Sequence, residues 1–549
     1  MRAMLIAAGL TLSLAAASHT AGLKFYADDP VLEDVDRLDT PVKPAEAELS
    51  QLFDRFGHTF HDFGSSQSLE AANVNTLDEV PNSAWFANRH GRERMSLEEL
   101  ARGPNTGPGP DTTGPWRIFR SKTEGVTPGF HIKDARGDRY VIKFDPVEFL
   151  ELSSAAEVIA TKLFYASGYN VPENYIARVH PEALTIEPGT SWQDRFGDKR
   201  PLTTELLRRV LSRVPRLSDG RIRVLASKYV PGALLGPFRY YGTRSDDPND
   251  VVLHEHRREL RGLRLLAAWT NHDDSRAHNT LDTWVEEDGR HYVRHYLIDF
   301  GSTFGSGSVD LQLPQLGFHS WLDTALLTKN ALSLGLHVPA YRKVTWPEFP
   351  KFASVGRFEA KVFEPQKWKS EYPNPAFVRM TDRDALWAAK IIARFTPDDL
   401  RAIVKTGEYS DPAAEQYFFE TLLERQRKTV VYYLNRVNPL DEFQVTDAGL
   451  EFENLSERQE FAPADTTTYR VTWHLYDNVT GGGEPLTEPR TSRQRAAPLP
   501  LKTVLRPETQ FLLAEIDSLH EDHPSWNTSI RVYLRQTDLG FTVVGVERG

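Results

Sequence analysis

A polar stretch, NHDDSRAHN (271–279), directly follows the apolar run LRLLAAWT. Within it, Asp274 and Asn279 are five residues apart. A carboxylate can accept a proton from a hydroxyl nucleophile, and an amide oxygen can ligate Mg²⁺. The stretch therefore has the composition of a catalytic loop that holds a base and a metal ligand, although a solvated loop can have the same composition.

Two further carboxylates bear on this chemistry. Asp299 follows the apolar run YLI and precedes Phe-Gly, so it stands at the end of a predicted strand. Together with Asn279 it would offer Mg²⁺ the hard oxygen ligands that this ion prefers. Asp273 competes with Asp274 for the role of base, and the five-residue spacing to Asn279 favours Asp274.

A lysine interrupts the strand pattern YVIKF. A buried Lys143 needs an anionic partner, because an unpaired buried charge is costly. Glu157 lies fourteen residues later in a predicted helix, and such a pair points the ammonium at a ligand phosphate. Alternatively, Lys143 snorkels from an edge strand.

The start of that helix decides the role of Glu157. Ser154-x-x-Glu157 matches a capping box, which would make Glu157 structural. A helix that begins at Asp145-Pro146 instead leaves Glu157 free to meet Lys143. We favour the second, with Glu151 as the fallback partner.

The elements that must position these residues alternate in type along the chain. Strands, Gly turns and helices first form a β-rich region, helices then dominate from residue 250, and alternating strands return at the end. The predicted strands are 116–121, 129–134, 138–145, 174–179, 221–230, 280–285, 291–299, 469–477, 529–536 and 540–547; the predicted helices are 147–166, 203–213, 251–270, others starting at Thr381 and Thr396, and 413–436.

Length and composition narrow the function classes. The 549 residues are enough for roughly two to four domains. The net charge is -11 without a long basic block, so nucleic acid is not an expected partner. There is no cysteine, which excludes disulfides and thiolate chemistry. After the N-terminus, no stretch predicts a transmembrane helix.

The N-terminus predicts export. MRAM is a short basic region, and the apolar run LIAAGLTLSLAAA precedes small residues that suit a signal peptidase. We expect a signal peptide over 1–18 and a periplasmic or extracellular protein. Residues 19–114 would form an N-terminal extension and linker, in which the stretch 73–91 would pack against a neighbouring domain.

Taken in order, the strand–turn–strand pattern, VIK, a helical Glu, H-x-D-x-x-x-x-N and I-D-F-G resemble the protein-kinase-like superfamily. Within that superfamily, these motifs are most similar to those of atypical branches: HipA-type kinases, phosphoinositide kinases and CotH-type spore-coat kinases. The whole chain also resembles a group of exported bacterial proteins. The resemblance implies an α+β, two-lobed kinase-like core, with an N-lobe over 115–235 and a C-lobe over 236–440. An antiparallel β-sandwich is expected over 445–549.

The resemblance also implies roles for individual residues. Lys143 would hold the α- and β-phosphates of ATP, Glu157 would position Lys143, Asp274 would be the catalytic base, and Asn279 and Asp299 would bind Mg²⁺. The turn 122–130, with Lys122, Gly125 and Gly129, would cover the phosphates, and the segment 227–233, with Tyr229, would be the hinge at the adenine. Asp273 stands where the family pattern has Arg, and no A-P-E follows Asp299.

The expected function is an exported ATP- and Mg²⁺-dependent phosphotransferase whose acceptor, a protein or a small molecule, is not specified. One alternative is a non-catalytic, pseudokinase-type scaffold at the envelope or cell surface. Another is adenylyl transfer from ATP on the same fold.

Overall fold

The structure is a computed structural model, which describes residues 23–26, 36, 38–60, 69–122, 128–193, 198–346, 352–463, 466–500, 505 and 509–549. The expected signal peptide (1–18) and Gly125 lie outside the described residues. The described residues form a mixed α+β chain. Among them, no helix combines the length and the apolar character needed to cross a membrane.

In the described part of the N-terminal extension lie the helices α1 (Gln51–Phe60) and α2 (Leu97–Arg102). The stretch 73–91 packs against the neighbouring region, as predicted, because Trp85 and Phe86 are buried in the core of the helical region that follows.

The next region, 116–228, is built on a six-stranded sheet in the order β4-β8-β3-β2-β1-β5. Its neighbouring strands are antiparallel except β5, which runs parallel to β1. A separate hairpin consists of β6 and β7. The elements are β1 (Trp116–Ser121), β2 (Gly129–Lys133), β3 (Arg139–Phe144), α3 (Leu152–Ala166), β4 (Asn174–Val179), β5 (Leu184–Ile186), β6 (Ser191–Gln193), β7 (Lys199–Pro201), α4 (Thr204–Leu211) and β8 (Ile222–Lys228).

The two faces of this sheet differ. One face carries the apolar side chains of β3, including Ile142, which pack with Leu207 and Leu211 of α4 into a core. Because side chains alternate along a strand, Lys143 points to the opposite face. The sequence predicted five of the six strands; β5 was missed because it is only three residues long.

Helix α3 begins at Leu152, so the predicted start near 147 was wrong. Glu151 has a left-handed backbone (φ 72°), which ends the preceding turn before the helix can form. The Asp145 carboxylate accepts hydrogen bonds from the N–H groups of Ser153 (3.0 Å) and Ser154 (2.8 Å) and so caps the first turn. Neither of the two predicted starts is therefore used.

The region that follows joins a three-stranded sheet, in the order β11-β10-β9, to a group of helices. Buried residues of α5, α8 and α10, among them Trp269, Trp387 and Phe418, form the largest core. The predicted helix starts at Thr381 and Thr396 are confirmed, since both residues make capping boxes. The elements are β9 (Ala233–Gly236), α5 (Arg258–Thr270), β10 (Thr280–Glu287), β11 (Arg290–Leu297), α6 (Thr324–Leu332), α7 (Pro375–Val378), α8 (Asp382–Ala393), α9 (Pro397–Lys405) and α10 (Pro412–Leu434).

The C-terminal region contains two antiparallel sheets, β12-β13-β17 and β15-β14-β18-β19-β20, with β16 also paired to β14. Phe452 of the first sheet and Trp473 and Leu512 of the second share one buried core. The elements are β12 (Leu440–Thr446), β13 (Gly449–Asn454), α11 (Leu455–Arg458), β14 (Thr468–Asp477), β15 (Gly483–Pro485), β16 (Arg490–Ser492), β17 (Ala496–Ala497), β18 (Gln510–Leu519), β19 (Ile530–Thr537) and β20 (Gly540–Arg548).

Candidate functional site

The hairpin of β10 and β11 brings two polar segments together. Thr280, at the start of β10, pairs with Leu297, at the end of β11. Asn279 immediately precedes the first strand and Asp299 follows the second, and the Ile298 N–H donates to the Asn279 carbonyl at 2.9 Å. The two candidate metal ligands, twenty residues apart in sequence, therefore sit at the same end of one hairpin.

Lys143 joins three elements of the site. Its ammonium donates to both carboxylate oxygens of Glu157 in α3, at 3.1 and 2.9 Å, and to Asp299 at 2.7 Å. The side chain of Glu157 is 1% exposed, that of Lys143 is 9% exposed and that of Asp299 is 38% exposed. The cluster thus runs from the buried Glu157 to the partly exposed Asp299. Glu151, the fallback partner, instead accepts from the Ser410 N–H at 2.9 Å.

Lys143 and Asp299 are both held in their charged forms, although burial raises the pKa of Glu157 behind them. Burial disfavours the charged ammonium of Lys143, but the carboxylates of Asp299 and Glu157 outweigh burial and raise the Lys143 pKa. Burial by itself would raise the pKa of Asp299, but the charges of Lys143 and Lys122 lower it to about 2. Asp299 is therefore an anion across the physiological pH range.

The backbone around Asp299 is unusual. Asp299 has φ 60° and ψ 69°, in the left-handed region that non-glycine residues rarely adopt. Two residues later, a Cβ on Gly301 would lie 3.0 Å from the Oγ atoms of Ser153 and Ser308, so a side chain there requires one of them to move. Strained backbone of this kind persists where the surroundings hold it, often at functional sites.

Asp274 makes a two-point contact with Arg276. The Arg276 Nε lies 2.6 Å from Oδ1 of Asp274, and Nη2 donates to Oδ2 at 3.0 Å. Arg276 also donates to the Tyr372 hydroxyl at 3.2 Å. The side-chain amide (Nδ2) of Asn279 donates to the main-chain carbonyl of Asp274 at 2.8 Å, which closes the loop across the five-residue spacing.

The pKa of Asp274 is shifted toward neutrality. Burial raises it to about 6, because it outweighs the opposing effect of Arg276, and the charges of Glu371 and Asp299 act in the same direction as burial. A general base is most effective when its pKa lies near the working pH. Asp274 therefore has a proton affinity suited to accepting a proton.

The neighbouring Asp273 is directed elsewhere. It is only 4% exposed, and its carboxylate accepts a hydrogen bond from the side-chain amide of Gln312. Burial raises its pKa well above the usual range. The side chain of Asp274, in contrast, is 16% exposed. Of the two competing carboxylates, Asp274 has the more open position.

The predicted phosphate-covering turn is described at its two ends. The Lys122 N–H donates to the Gly129 carbonyl at 3.1 Å, and Gly129 pairs with Lys143 across β2 and β3. A Cβ on Gly129 would lie 2.2 Å from the Ile142 carbonyl oxygen, so this position excludes a side chain. The ends of the turn therefore lie beside the lysine of the cluster.

Tyr229 lies at the other end of the same sheet face. Its N–H donates to the Arg139 carbonyl at 3.0 Å, four residues along β3 from Lys143, or about 13 Å at strand geometry. Its hydroxyl is 2.6 Å from His131 Nδ1, and its ring centroid is 6.3 Å from that of Phe119. Burial lowers the pKa of His131 to about 4, so its ring is neutral at physiological pH. The Arg139 guanidinium lies 4.9 Å from the centroid of the Tyr229 ring, so this end of the face is aromatic and carries a cation.

Several residues of the site were not predicted from sequence. Arg276 stands two positions after Asp274, inside the polar stretch, and its charge was a signal that could have been used. His131, Gln312, Glu371 and Tyr372 had no such signal, because their positions next to the site depend on packing between distant parts of the chain.

The side-chain oxygens of Asp299 and Asn279 are of the type that binds Mg²⁺, but two side chains provide only a few of the ligands that the ion needs. Within the described part of the chain, no group of three or more His, Cys, Asp or Glu side chains could hold a metal ion. Asp299 offers a carboxylate and Asn279 an amide oxygen. Mg²⁺ is commonly bound by one or two protein groups plus water and substrate phosphates, so this pair fits that ion when a nucleotide supplies the remaining oxygens.

Comparison with known proteins returns protein kinases among solved structures. No family model and no curated protein matches the chain. The Helicobacter pylori proinflammatory kinase CtkA is 13% identical with a TM-score of 0.33, covering 60% of this chain and 98% of that one. The Golgi casein kinase is also 13% identical, with a TM-score of 0.21, covering 60% and 76%. At such TM-scores the likeness carries no weight for function.

Proposed function

We propose that this protein is an exported, ATP- and Mg²⁺-dependent phosphotransferase of an atypical branch of the protein-kinase-like superfamily. The observation that carries the proposal is the position of Lys143, which contacts Glu157 of α3 and Asp299 after β11 at the same time. A buried lysine held by one carboxylate from a helix and a second at the edge of a cleft is suited to binding phosphate oxygens.

The proposal assigns the nucleotide to the cleft between the two regions, which act as the two lobes of the core. Lys143 and Lys122 would attract the phosphates, and the aromatic end of the sheet face, with Tyr229 and His131, would receive the base. Asp299 and Asn279 would hold Mg²⁺, which supplies neutralisation of the phosphate charge. When the ion is bound, the Asp299 carboxylate would contact Mg²⁺ in place of part of its present contact with the Lys143 ammonium.

Transfer itself needs a base on the acceptor side. The acceptor hydroxyl oxygen forms a bond to the γ-phosphorus of ATP, the bond from that phosphorus to the β–γ bridging oxygen breaks, and ADP leaves. The hydroxyl proton passes to Asp274, and Arg276 fixes the orientation of that carboxylate through its two contacts. The pKa of about 6 lets Asp274 accept this proton at neutral pH and release it afterwards.

The flanking regions belong to the same proposal. The segment 1–18 would direct export, and the two sheets of the C-terminal region would act as a β-sandwich that binds a partner. An exported enzyme of this kind needs ATP in its own compartment, or acts before export is complete.

The first test is ATP binding by thermal unfolding, with and without Mg²⁺, for the mature wild-type chain and Asp299→Ala. At one hundred times the dissociation constant, ATP should stabilise the wild type by about 2.7 kcal/mol. The shift should depend on Mg²⁺ and should be lost in Asp299→Ala. If millimolar ATP shifts neither protein, the core is a scaffold and the phosphotransferase proposal is wrong.

The same protein distinguishes phosphoryl from adenylyl transfer. If the mature chain is incubated with ATP and Mg²⁺, the intact mass of any modified product reports the group transferred. A phosphoryl group supports the proposal, whereas an adenylyl group would assign the alternative chemistry to the same site.

A further inference from the structure

One segment of the helical region exposes most of its apolar side chains. Residues 321–343, which we call the leucine face, contain α6, none of whose residues is buried. Leu332, Leu334 and Leu336 are 82%, 91% and 83% exposed. Isolated exposed leucines are ordinary, but a cluster along one segment marks a surface that binds another molecule or a membrane.

Aromatic side chains of the N-terminal extension continue this surface. The Phe56 ring of α1 meets the Trp321 ring edge-on, with centroids 6.1 Å apart. Phe53 and Phe60, from the same helix, are also exposed. Two segments about 260 residues apart thus add exposed aromatic rings to the exposed leucines.

The charge of the leucine face is opposite to that of the whole chain. The protein has a net charge of -11, but this face carries Lys329, Arg342 and Lys343 against the single carboxylate of Asp323. That carboxylate is taken up by Lys369 at 2.5 Å. Within the part of the chain that the structure describes, the three cations are exposed and have no ion-pair partner. The face is therefore both apolar and cationic.

A cavity of about 600 Å³ opens beside the leucine face. Its lining combines apolar groups, such as Phe318 and Val338, with cations, among them Lys329 and Lys343, and with fewer carboxylates, those of Asp323, Glu359 and Glu364. An enclosure with both kinds of wall suits an amphiphile, whose anionic head pairs with the lysines while its apolar part contacts the other side chains.

From these features we propose that the leucine face docks on an anionic lipid bilayer. Leucines that lie between Lys329 and Lys343, and are flanked by Phe and Trp, can place apolar tips below the headgroups while the ammonium groups remain at the anionic surface. An acidic protein partner would satisfy the cations but would not use leucines spread along a segment this exposed. The docking does not depend on phosphotransfer.

Docking would also orient the candidate site. The Trp321 N–H donates to the Glu371 carbonyl at 2.5 Å, and the Glu371 N–H donates to the Asp273 carbonyl at 3.1 Å. The leucine face is thus connected by main-chain hydrogen bonds to the residue that precedes Asp274. A membrane bound to this face would therefore be linked through Trp321 and Glu371 to the loop that carries Asp274.

The test is vesicle co-sedimentation of the mature full chain. Vesicles of phosphatidylcholine alone are compared with vesicles that also contain phosphatidylglycerol, at low and high salt. The wild type should bind the anionic vesicles, and high salt should weaken the binding. The variant Leu332→Ser/Leu334→Ser/Leu336→Ser should bind at least about tenfold more weakly, and so should Lys329→Glu/Lys343→Glu.

The control is Leu539→Ser, because Leu539 is fully exposed in the C-terminal region, away from the leucine face. Thermal unfolding of each variant reports that it is folded, and the ATP-dependent shift is measured separately. Absence of binding to anionic vesicles, or equal binding by the triple leucine variant, would overturn the proposal. A wild-type dimer in analytical ultracentrifugation that the leucine variant lacks, without vesicle binding, would instead assign the face to a second copy of the chain.

Discussion

Asp299 and Asp274 each pair with a cation, and yet their pKa values are shifted in opposite directions. At the proposed nucleotide end, Asp299 lies 2.7 Å from Lys143 and its pKa falls to about 2. At the proposed acceptor end, Asp274 lies 2.6 Å from Arg276 and its pKa rises to about 6.

The difference comes from the neighbouring charges and from the greater exposure of Asp299. Both carboxylates are subject to burial, which raises a pKa, but Asp299 is also near Lys122, whereas Asp274 is near Glu371 and Asp299 itself. One carboxylate therefore remains an anion that can hold a cation, and the other can take up a proton. Under the proposed function, the same side-chain type would serve two roles because its surroundings differ.

The strongest way to break this comparison is to remove the proton acceptor. Asp274→Asn should lower the rate of ATP turnover by about 10²–10⁴-fold, the usual contribution of a general base. The ATP- and Mg²⁺-dependent thermal shift should persist, because the nucleotide end is unchanged. Asp273→Asn is the matched control and should retain most activity; if it is the inactive variant, the roles of the two residues are reversed.

The next largest effect is expected at the nucleotide end. Lys143→Met should reduce turnover by about 10²–10³-fold, since a preorganised cation for the phosphates is lost. Unlike Asp274→Asn, it should also weaken the ATP shift. Lys43→Met, in the N-terminal extension and paired with Glu46 at 2.8 Å, provides a control that should leave the ATP shift intact.

A smaller effect on turnover is expected when Glu157, the buried partner of Lys143, is replaced. In Glu157→Gln, Lys143 keeps its contact with Asp299, so turnover should fall only roughly tenfold, about 1.4 kcal/mol in activation free energy. The comparison variant is Glu151→Gln, whose carboxylate contacts Ser410 rather than Lys143. Equal kinetics for the two variants would argue against a positioning role for Glu157.

The smallest expected effect is a shift in the pH dependence of activity when Arg276, the partner of Asp274, is replaced. Transfer needs the deprotonated Asp274, so wild-type kcat/KM should rise with pH through about 6. Arg276 lowers the pKa of Asp274, so Arg276→Gln should raise that pKa and move the rising limb to higher pH. The pH profile distinguishes this effect from misfolding, which would lower activity at every pH. An unmoved limb would show that another group titrates.

Local sequence patterns predicted the parts of the site that depend on a single element. The alternation in YVIKF placed Lys143 on a strand, the helical pattern placed Glu157 on the next helix, and the polar stretch 271–279 followed the apolar run as a loop. These predictions succeed because burial on one face imposes a period on the sequence. The start of α3 was mispredicted because its cap is Asp145, six residues before Glu151 and outside the helix.

Contacts between distant elements could not be predicted in this way. The sequence by itself determined which residues could form the site: Lys143, Glu157, Asp274, Asn279 and Asp299, each with its strand, helix or loop. The tertiary structure alone decided that Asp299 shares Lys143 with Glu157, that Glu371 lies near Asp274, and that the leucines of 321–343 face solvent rather than the core. The physical reason is that a pKa and the exposure of a surface depend on charges and packing from segments far apart in sequence. The periodicity of a local sequence pattern carries no information about such contacts.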